Sequence, residues 1–143
     1  MKLAIASDHA GVTYKAAIVA MLNEKGFEVI DFGPETEESV DYPDYAHLVA
    51  NSVVSKESEL GILLCGSGNG INMSANKHQE IRSALSWTPE IASLARQHNN
   101  ANIVALPARF VSLEEAKAIV NTFLDTSFEG GRHQRRVNKI ACI

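Results

Sequence analysis

Short apolar runs alternate along this chain with stretches in which apolar positions recur every three or four residues. Lys2 to Ser7 (KLAIAS) predicts a buried strand. Thr13 to Lys25 has apolar residues at helical spacing and closes at Gly26, a helix stop. Phe27 to Phe32 predicts a second strand. Tyr42 to Lys56 predicts a helix with Pro43 in its first turn, where a missing N–H costs nothing. Leu60 to Cys65 (LGILLC) is apolar on both faces, the pattern of a central strand in a parallel sheet. A helix opens at Ile71 to Lys77, and a fourth strand follows at Ile81 to Trp87. Pro89 to His98 predicts a helix and Asn102 to Leu106 a fifth strand. Ser112 and Glu115 have the spacing of a capping box, opening an amphipathic helix that runs to Asp125. The tail from Arg132 to Ile143 reads as helical, and Gly33 to Asp41 and Ser127 to Gly131 read as surface loops.

Five strands separated by helices predict a three-layer α/β/α sandwich around a five-stranded parallel sheet, Rossmann-like in plan. No repeat, linker or low-complexity stretch divides the chain, so residues 1–143 are read as one domain. In this architecture ligands bind beyond the carboxyl ends of the strands. The polar residues gather at such places. Ser7-Asp8-His9-Ala10-Gly11 follows the first strand, Cys65-Gly66-Ser67-Gly68-Asn69-Gly70 follows the third, and His98-Asn99-Asn100 precedes the fifth; all three are expected to deliver side chains to one common cleft.

Composition narrows the function classes. At 45% hydrophobic and 21% charged residues, this is the balance of a soluble globular protein. A net charge of −4 offers no footprint for nucleic acid or an anionic membrane. No apolar run approaches the roughly 20 residues of a membrane helix. The two cysteines, Cys65 and Cys142, stand far apart in unlike contexts, which suggests no disulfide framework and a reducing cytoplasm.

Cys65 ends a buried strand and precedes three alternate glycines. Such a turn can aim several amides into one concavity, with a helix start behind it. That setting lowers a thiol pKa and stabilises an oxyanion. Read alone, Cys65 is either such a thiol or a structural cysteine beside a tight turn. The dinucleotide fingerprint is excluded because the spacing is GxGxG, and the P-loop because no Gly-Lys-Ser/Thr occurs. A cysteine phosphatase would need an arginine where Ile71 stands. Asp8 is either a hydroxyl-binding carboxylate or an N-cap, and His9 either a phosphate contact or a solvated side chain. His98, beside Asn99, is either an acid–base group or a helix cap. Arg132 and Arg136, four apart, either grip one phosphate or form a solvated basic tail. Arg109 is a weaker phosphate candidate, and Tyr42 either packs or binds. No metal or cofactor is called for.

Several of these pieces lie in collinear order from residue 7 to 136. They are Asp8-His9-Ala10-Gly11, Asp41-Tyr42-Pro43, Cys65 to Gly70, Ala75-Asn76-Lys77, Ala95 to Asn102, and Glu129-Gly130-Gly131-Arg132-His133-Gln134-Arg135-Arg136. Together they resemble the ribose-5-phosphate isomerase B family, which also includes the galactose-6-phosphate isomerase subunits. The resemblance implies an aldose–ketose isomerase of the pentose phosphate pathway type, acting on a phosphorylated sugar without a cofactor. It implies Cys65 as the base at C2, with Ser67 and the amides from Gly66 through Gly68, Asn69 and Gly70 holding the enediolate. It implies His98, helped by Asp8, as ring opener, and Asn99 as a hydroxyl contact. His9, Arg132 and Arg136, with Arg109, would hold the phosphate. It also implies sheet order 2-1-3-5-4 and a homodimer or homotetramer whose sites mix two subunits. One branch of the family carries a glutamate where Ile71 stands; Cys65 places this chain with the cysteine branch. The competing readings are an isomerase of a six-carbon aldose 6-phosphate such as allose or galactose, a phosphocysteine carrier, and a sugar-phosphate sensor without chemistry.

Overall fold

A computed structural model describes residues 1–143. Its five strands are β1 (Lys2–Ser7), β2 (Glu28–Asp31), β3 (Leu60–Cys65), β4 (Ser83–Leu85) and β5 (Ile103–Pro107). They pair in parallel in the order β2-β1-β3-β5-β4. The helices are α1 (Val12–Glu24), α2 (Tyr42–Val54), α3 (Asn69–Ala75), α4 (Pro89–Asn99), α5 (Leu113–Asp125) and α6 (Arg132–Val137). The three-layer sandwich read from the sequence and the strand order implied by the resemblance are both found.

The apolar runs fill two cores, one on each face of the sheet. Leu3, Ile5, Ile62, Leu64, Val104 and Leu106 point to one face, where Ile18, Ile119 and Phe123 of α1 and α5 cover them. Ala4, Ala6, Leu63, Cys65 and Ala105 point to the other, under Val49 and Val53 of α2 and Ile71 of α3. Alternation along each strand sends neighbours to opposite faces, so a doubly covered sheet needs continuous apolar runs. β3 is buried at every position because it lies in the middle.

The edges of the sheet are short. β2 has four residues and β4 three, against a predicted seven from Ile81 to Trp87. β4 shrinks because the amides of Arg82 and Ser83 donate to side-chain oxygens of Asn102 and Asn76, at 2.8 Å each. At the other edge, Lys15 of α1 is almost wholly buried and reaches both carboxylate oxygens of Asp31 at 2.8 Å. Asp31 also accepts from the Gly33 amide, so the end of β2 is tied to α1.

The capping box of α5 forms in both directions between Ser112 and Glu115. The predicted helical tail is corrected: α6 stops at Val137. Beyond it the Cys142 amide is taken by the Gln79 side chain, at 2.7 Å, rather than by a helical carbonyl.

Candidate active site

Right-handed parallel connections place every strand's carboxyl end on one side of the molecule. Asp8 follows β1 there and Cys65 ends β3 there. Ser7 is in register with Leu64, so Asp8 and Cys65 emerge side by side. The Asp8 amide donates to the Leu64 carbonyl, and its Oδ1 accepts from Ala10, which caps a short turn at His9–Gly11. Its capping role is therefore real, and it uses one carboxylate oxygen. His9 accepts from the Val40 amide through Nδ1, at 3.3 Å, so a neutral His9 carries its proton on Nε2.

The loop after Cys65 has the expected form. Gly68 has φ +78°, a left-handed conformation that side chains disfavour. Its amide donates to Cys65 Sγ at 3.1 Å. Gly70 lies under the ring of Tyr42, where an added Cβ would come within 2.5 Å of the aromatic carbons. The amides of Gly66 and Gly70 have no acceptor within the chain. Ser67 is exposed, and its Oγ accepts from the Asn69 amide at 3.3 Å. Arg109 closes the loop from the end of β5: its amide donates to the Gly66 carbonyl, and its side chain lies against Gly66.

The thiol itself corrects an expectation. Cys65 is only 5% exposed, and its pKa is raised above the ordinary value of 9.0 rather than lowered. Burial is the main cause, with the Asp8 carboxylate adding to it. The amides of Ile71, Gly68 and Ser67 pull the other way and lose. A ring of amides depresses a thiol pKa only while the thiolate keeps enough solvation, and here the sulfur belongs to the apolar core under α2 and α3.

The remaining candidates lie at the other end of the sheet. α4 starts after the carboxyl end of β4 and runs back to Asn99, ahead of the amino end of β5. Cys65 pairs with Pro107 and Gly61 with Ile103. His98 and Asn99 therefore sit beyond the far end of β5, about 16 Å from the Cys65 loop by the length of five strand residues. Arg132 and Arg136 sit there too, because the Glu129 amide donates to the Gln97 carbonyl and joins the start of α6 to the end of α4. Both arginines are exposed and make no hydrogen bond or ion pair. One chain thus gathers Asp8, His9, Tyr42, Cys65 to Gly70 and Arg109 at one edge, and His98, Asn99, Arg132 and Arg136 at the opposite edge, which corrects the expectation of one common cleft within the chain.

The second group has two members that the sequence pattern did not single out. His98 and His133 stack with ring centroids 4.4 Å apart. Glu129 Oε1 lies 3.4 Å from His133 Nε2 and 3.9 Å from His98 Nε2. The signal for the pair was present, since Glu129 and His133 are four apart within the Glu129 to Arg136 segment. The three cavities of the chain also lie on this side; Arg82 lines each of them, and none includes a residue of the Cys65 loop.

Comparison with known proteins covers almost the whole chain. Residues 3–140 match the family described as Ribose/Galactose Isomerase. Ribose-5-phosphate isomerase B of Escherichia coli K12 is 48% identical over 142 residues, covering 99% of this chain and 95% of that one. The crystal structure of a ribose 5-phosphate isomerase from Thermotoga maritima superposes with TM-score 0.97 at 53% identity, covering 99% of this chain and 98% of that one. Ribose-5-phosphate isomerase B from Mycoplasma genitalium, solved with bound ribulose-5-phosphate, superposes with TM-score 0.93 at 48% identity, covering 97% and 93%.

Proposed function

We propose, because the chain belongs to the Ribose/Galactose Isomerase family, that it interconverts ribose 5-phosphate and ribulose 5-phosphate. The observation that carries this reading is 48% and 53% identity, over 99% of this chain, to enzymes of that name, with the Cys65 loop and the two-arginine helix both present in this chain.

The working unit is two copies of the chain. Within one copy, Cys65 and His98 stand at opposite ends of a parallel sheet. Side chains that must touch one sugar cannot span that distance, so the amino edge of one subunit faces the carboxyl edge of its partner. A homodimer completes two such sites, and a homotetramer four. Two free cysteines fit a cytoplasmic enzyme. No helix is long and apolar enough to cross a membrane.

The chemistry then divides between the two edges. His98 of the partner subunit takes the proton from the anomeric hydroxyl and returns one to the ring oxygen, opening the sugar. The phosphate is held by His9 and Arg109 of one subunit and by the partner's Arg132 and Arg136, and Asn99 of the partner subunit holds a hydroxyl. Cys65, as thiolate, removes the proton from C2. The electron pair moves into a C1–C2 double bond, and negative charge gathers on O1. Ser67 and the free amides of Gly66 and Gly70 donate to that oxygen. A proton passes from the C2 hydroxyl to O1, and Cys65 delivers its proton to C1, leaving the ketone at C2. In an isolated chain burial holds the thiol protonated. Closure with a second subunit brings an imidazole and two guanidinium groups toward it, and positive charge favours the thiolate. Remote binding of the phosphate orients the reacting carbons.

Two measurements test this. Five- and six-carbon aldose phosphates are incubated with the protein, and ketose is read by nuclear magnetic resonance in deuterated water. Ribulose 5-phosphate with solvent deuterium at C1 is the expected product; turnover confined to allose or galactose 6-phosphate would replace the substrate, and no turnover of any sugar would end the reading. Then Cys65→Ala and His98→Ala, each inactive, are mixed through unfolding and refolding. Hybrid dimers carry one intact shared site, so about a quarter of wild-type activity returns. Sites confined to one subunit would return none.

A further inference from the structure

His98, Glu129 and His133 bring two imidazoles and a carboxylate together outside the thiol loop. One ligand atom from each lies within 4.8 Å of the others. Two histidines and one carboxylate are the protein ligands of a common three-ligand zinc centre, with the fourth position open. The arrangement is held by the fold rather than by chance contact. Glu129 is pinned where its amide donates to Gln97, His98 sits in the last turn of α4, and His133 sits in the first turn of α6.

We infer that these three side chains form a binding site for a zinc-class divalent metal ion, and that a bound ion inhibits the enzyme by capturing His98. The second half rests on the ring-opening role proposed for His98; the first half does not. Tetrahedral ligands at about 2.0–2.2 Å from zinc stand a little over 3 Å apart. The Glu129–His133 separation of 3.4 Å already meets that spacing, and the Glu129–His98 separation of 3.9 Å nearly does. One movement is needed. Imidazole lone pairs lie in the ring plane, and two rings inclined by only 17° aim side by side instead of at one point. His98 is the ring free to turn, since its side chain is 42% exposed against 12% for His133. Rotation about its χ2 directs Nε2 toward the carboxylate and opens the stack.

Seizing His98 stops catalysis in a simple way. A ring nitrogen bonded to a metal can neither accept nor donate the proton that opening the sugar requires. Arg132 and Arg136 are not ligands, so the phosphate clamp keeps its form. Two other places in the chain could attract the same ion. His47 Nδ1 and His78 Nε2 lie 2.8 Å apart but have no third ligand in the cluster, and Cys65 offers a single buried sulfur.

Cobalt(II), which takes zinc sites and reports its ligands by absorption, is titrated into the intact protein and then displaced by zinc. One equivalent per chain with nitrogen and oxygen ligation, and no thiolate charge-transfer band, is expected. His133→Ala and Glu129→Gln should each weaken binding roughly 10–100-fold or more. Cys65→Ala and His78→Ala should bind as wild type does. In parallel, the ratio of isomerase rates with and without zinc is taken for the wild type, His133→Ala and Glu129→Gln. The wild type should fall steeply, while His133→Ala and Glu129→Gln should show ratios near one. Thiolate ligation, binding unchanged in both His133→Ala and Glu129→Gln, or no bound cobalt at all would each overturn the site. Zinc inhibition of those two variants equal to that of the wild type would overturn the capture of His98. Cobalt bound by the expected ligands in a protein that isomerises no sugar would uphold the site and refute the isomerase reading.

Discussion

The two ends of the sheet are built differently. At the carboxyl end, Cys65 is sunk into the core, Gly68 locks the turn, Asp8 caps its own loop, and Arg109 ties the end of β5 to Gly66. At the amino end, Arg132 and Arg136 stand in solvent without partners, and His98 leans on another imidazole. The first region is finished by folding. The second has its charges ready but nothing to apply them to. A parallel sheet produces this division, because it sends the two ends of every crossover helix to opposite sides. In the proposed mechanism the rigid end supplies the reacting group and the oxyanion donors, where small misplacements are costly. In the same mechanism the exposed end supplies the long cationic side chains of Arg132 and Arg136, which are free to adjust to a phosphate.

That contrast can be broken most sharply at the sulfur. Cys65→Ala should lower kcat by about 10²–10⁴-fold, the usual contribution of a positioned base, with substrate binding largely kept. Steady-state rates beside calorimetric binding of ribose 5-phosphate separate the two. Arg132→Ala or Arg136→Ala should act on the other term. Loss of a charged hydrogen bond costs about 1.5–3 kcal/mol, so KM should rise about tenfold to a hundredfold. Because both side chains are exposed and unpaired, the urea midpoint should not move. A shift in that midpoint would show that folding fixes the amino end no less firmly than the carboxyl end.

Gly70→Ala tests how tightly the rigid end is packed, read as stability rather than as rate. Its methyl group meets the Tyr42 ring, and overpacking of this kind typically costs about 1–3 kcal/mol. Tyr42→Ala added to it should recover most of the loss, as measured by a double-mutant cycle in urea. The smallest effect is on the thiol. A pKa raised by folding means the stability it contributes is full below the ordinary 9.0 and is lost as pH climbs through the higher folded value. Wild type should therefore lose more stability than Cys65→Ala above pH 9.0. At neutral pH, in the absence of substrate, iodoacetamide should label exposed Cys142 before buried Cys65, as read by peptide mass.

The fold was legible because period and punctuation agreed. LGILLC could be little else than a central strand, and Ser112 to Glu115 announced its helix by capping chemistry. The edges were less legible. Ile81 to Trp87 reads as a strand, but Asn76 and Asn102 take its first amides, and side-chain hydrogen bonds from distant residues leave no periodic trace. The Cys65 loop and the two arginines were nameable, since glycine spacing and paired arginines are local signals. Their division between two ends was implied by topology once the strand order was fixed. The direction of the Cys65 pKa was not legible. It depends on how deeply α2 and α3 bury the sulfur, and that is a property of packing. His133 and Glu129 were missed because the same segment carries the more conspicuous arginines.

The brevity of the two outer strands has a consequence for how copies of this chain can meet. β2 offers four residues and carries Glu28 and Asp31 at its ends, while β4 offers three. A ribbon of open amides that short, flanked by carboxylates, is a poor template for another chain's backbone. Growth of the sheet from subunit to subunit, the route to fibres, is thereby discouraged. The proposed self-association is then left to side chains at the strand ends, where it can close on itself and stop.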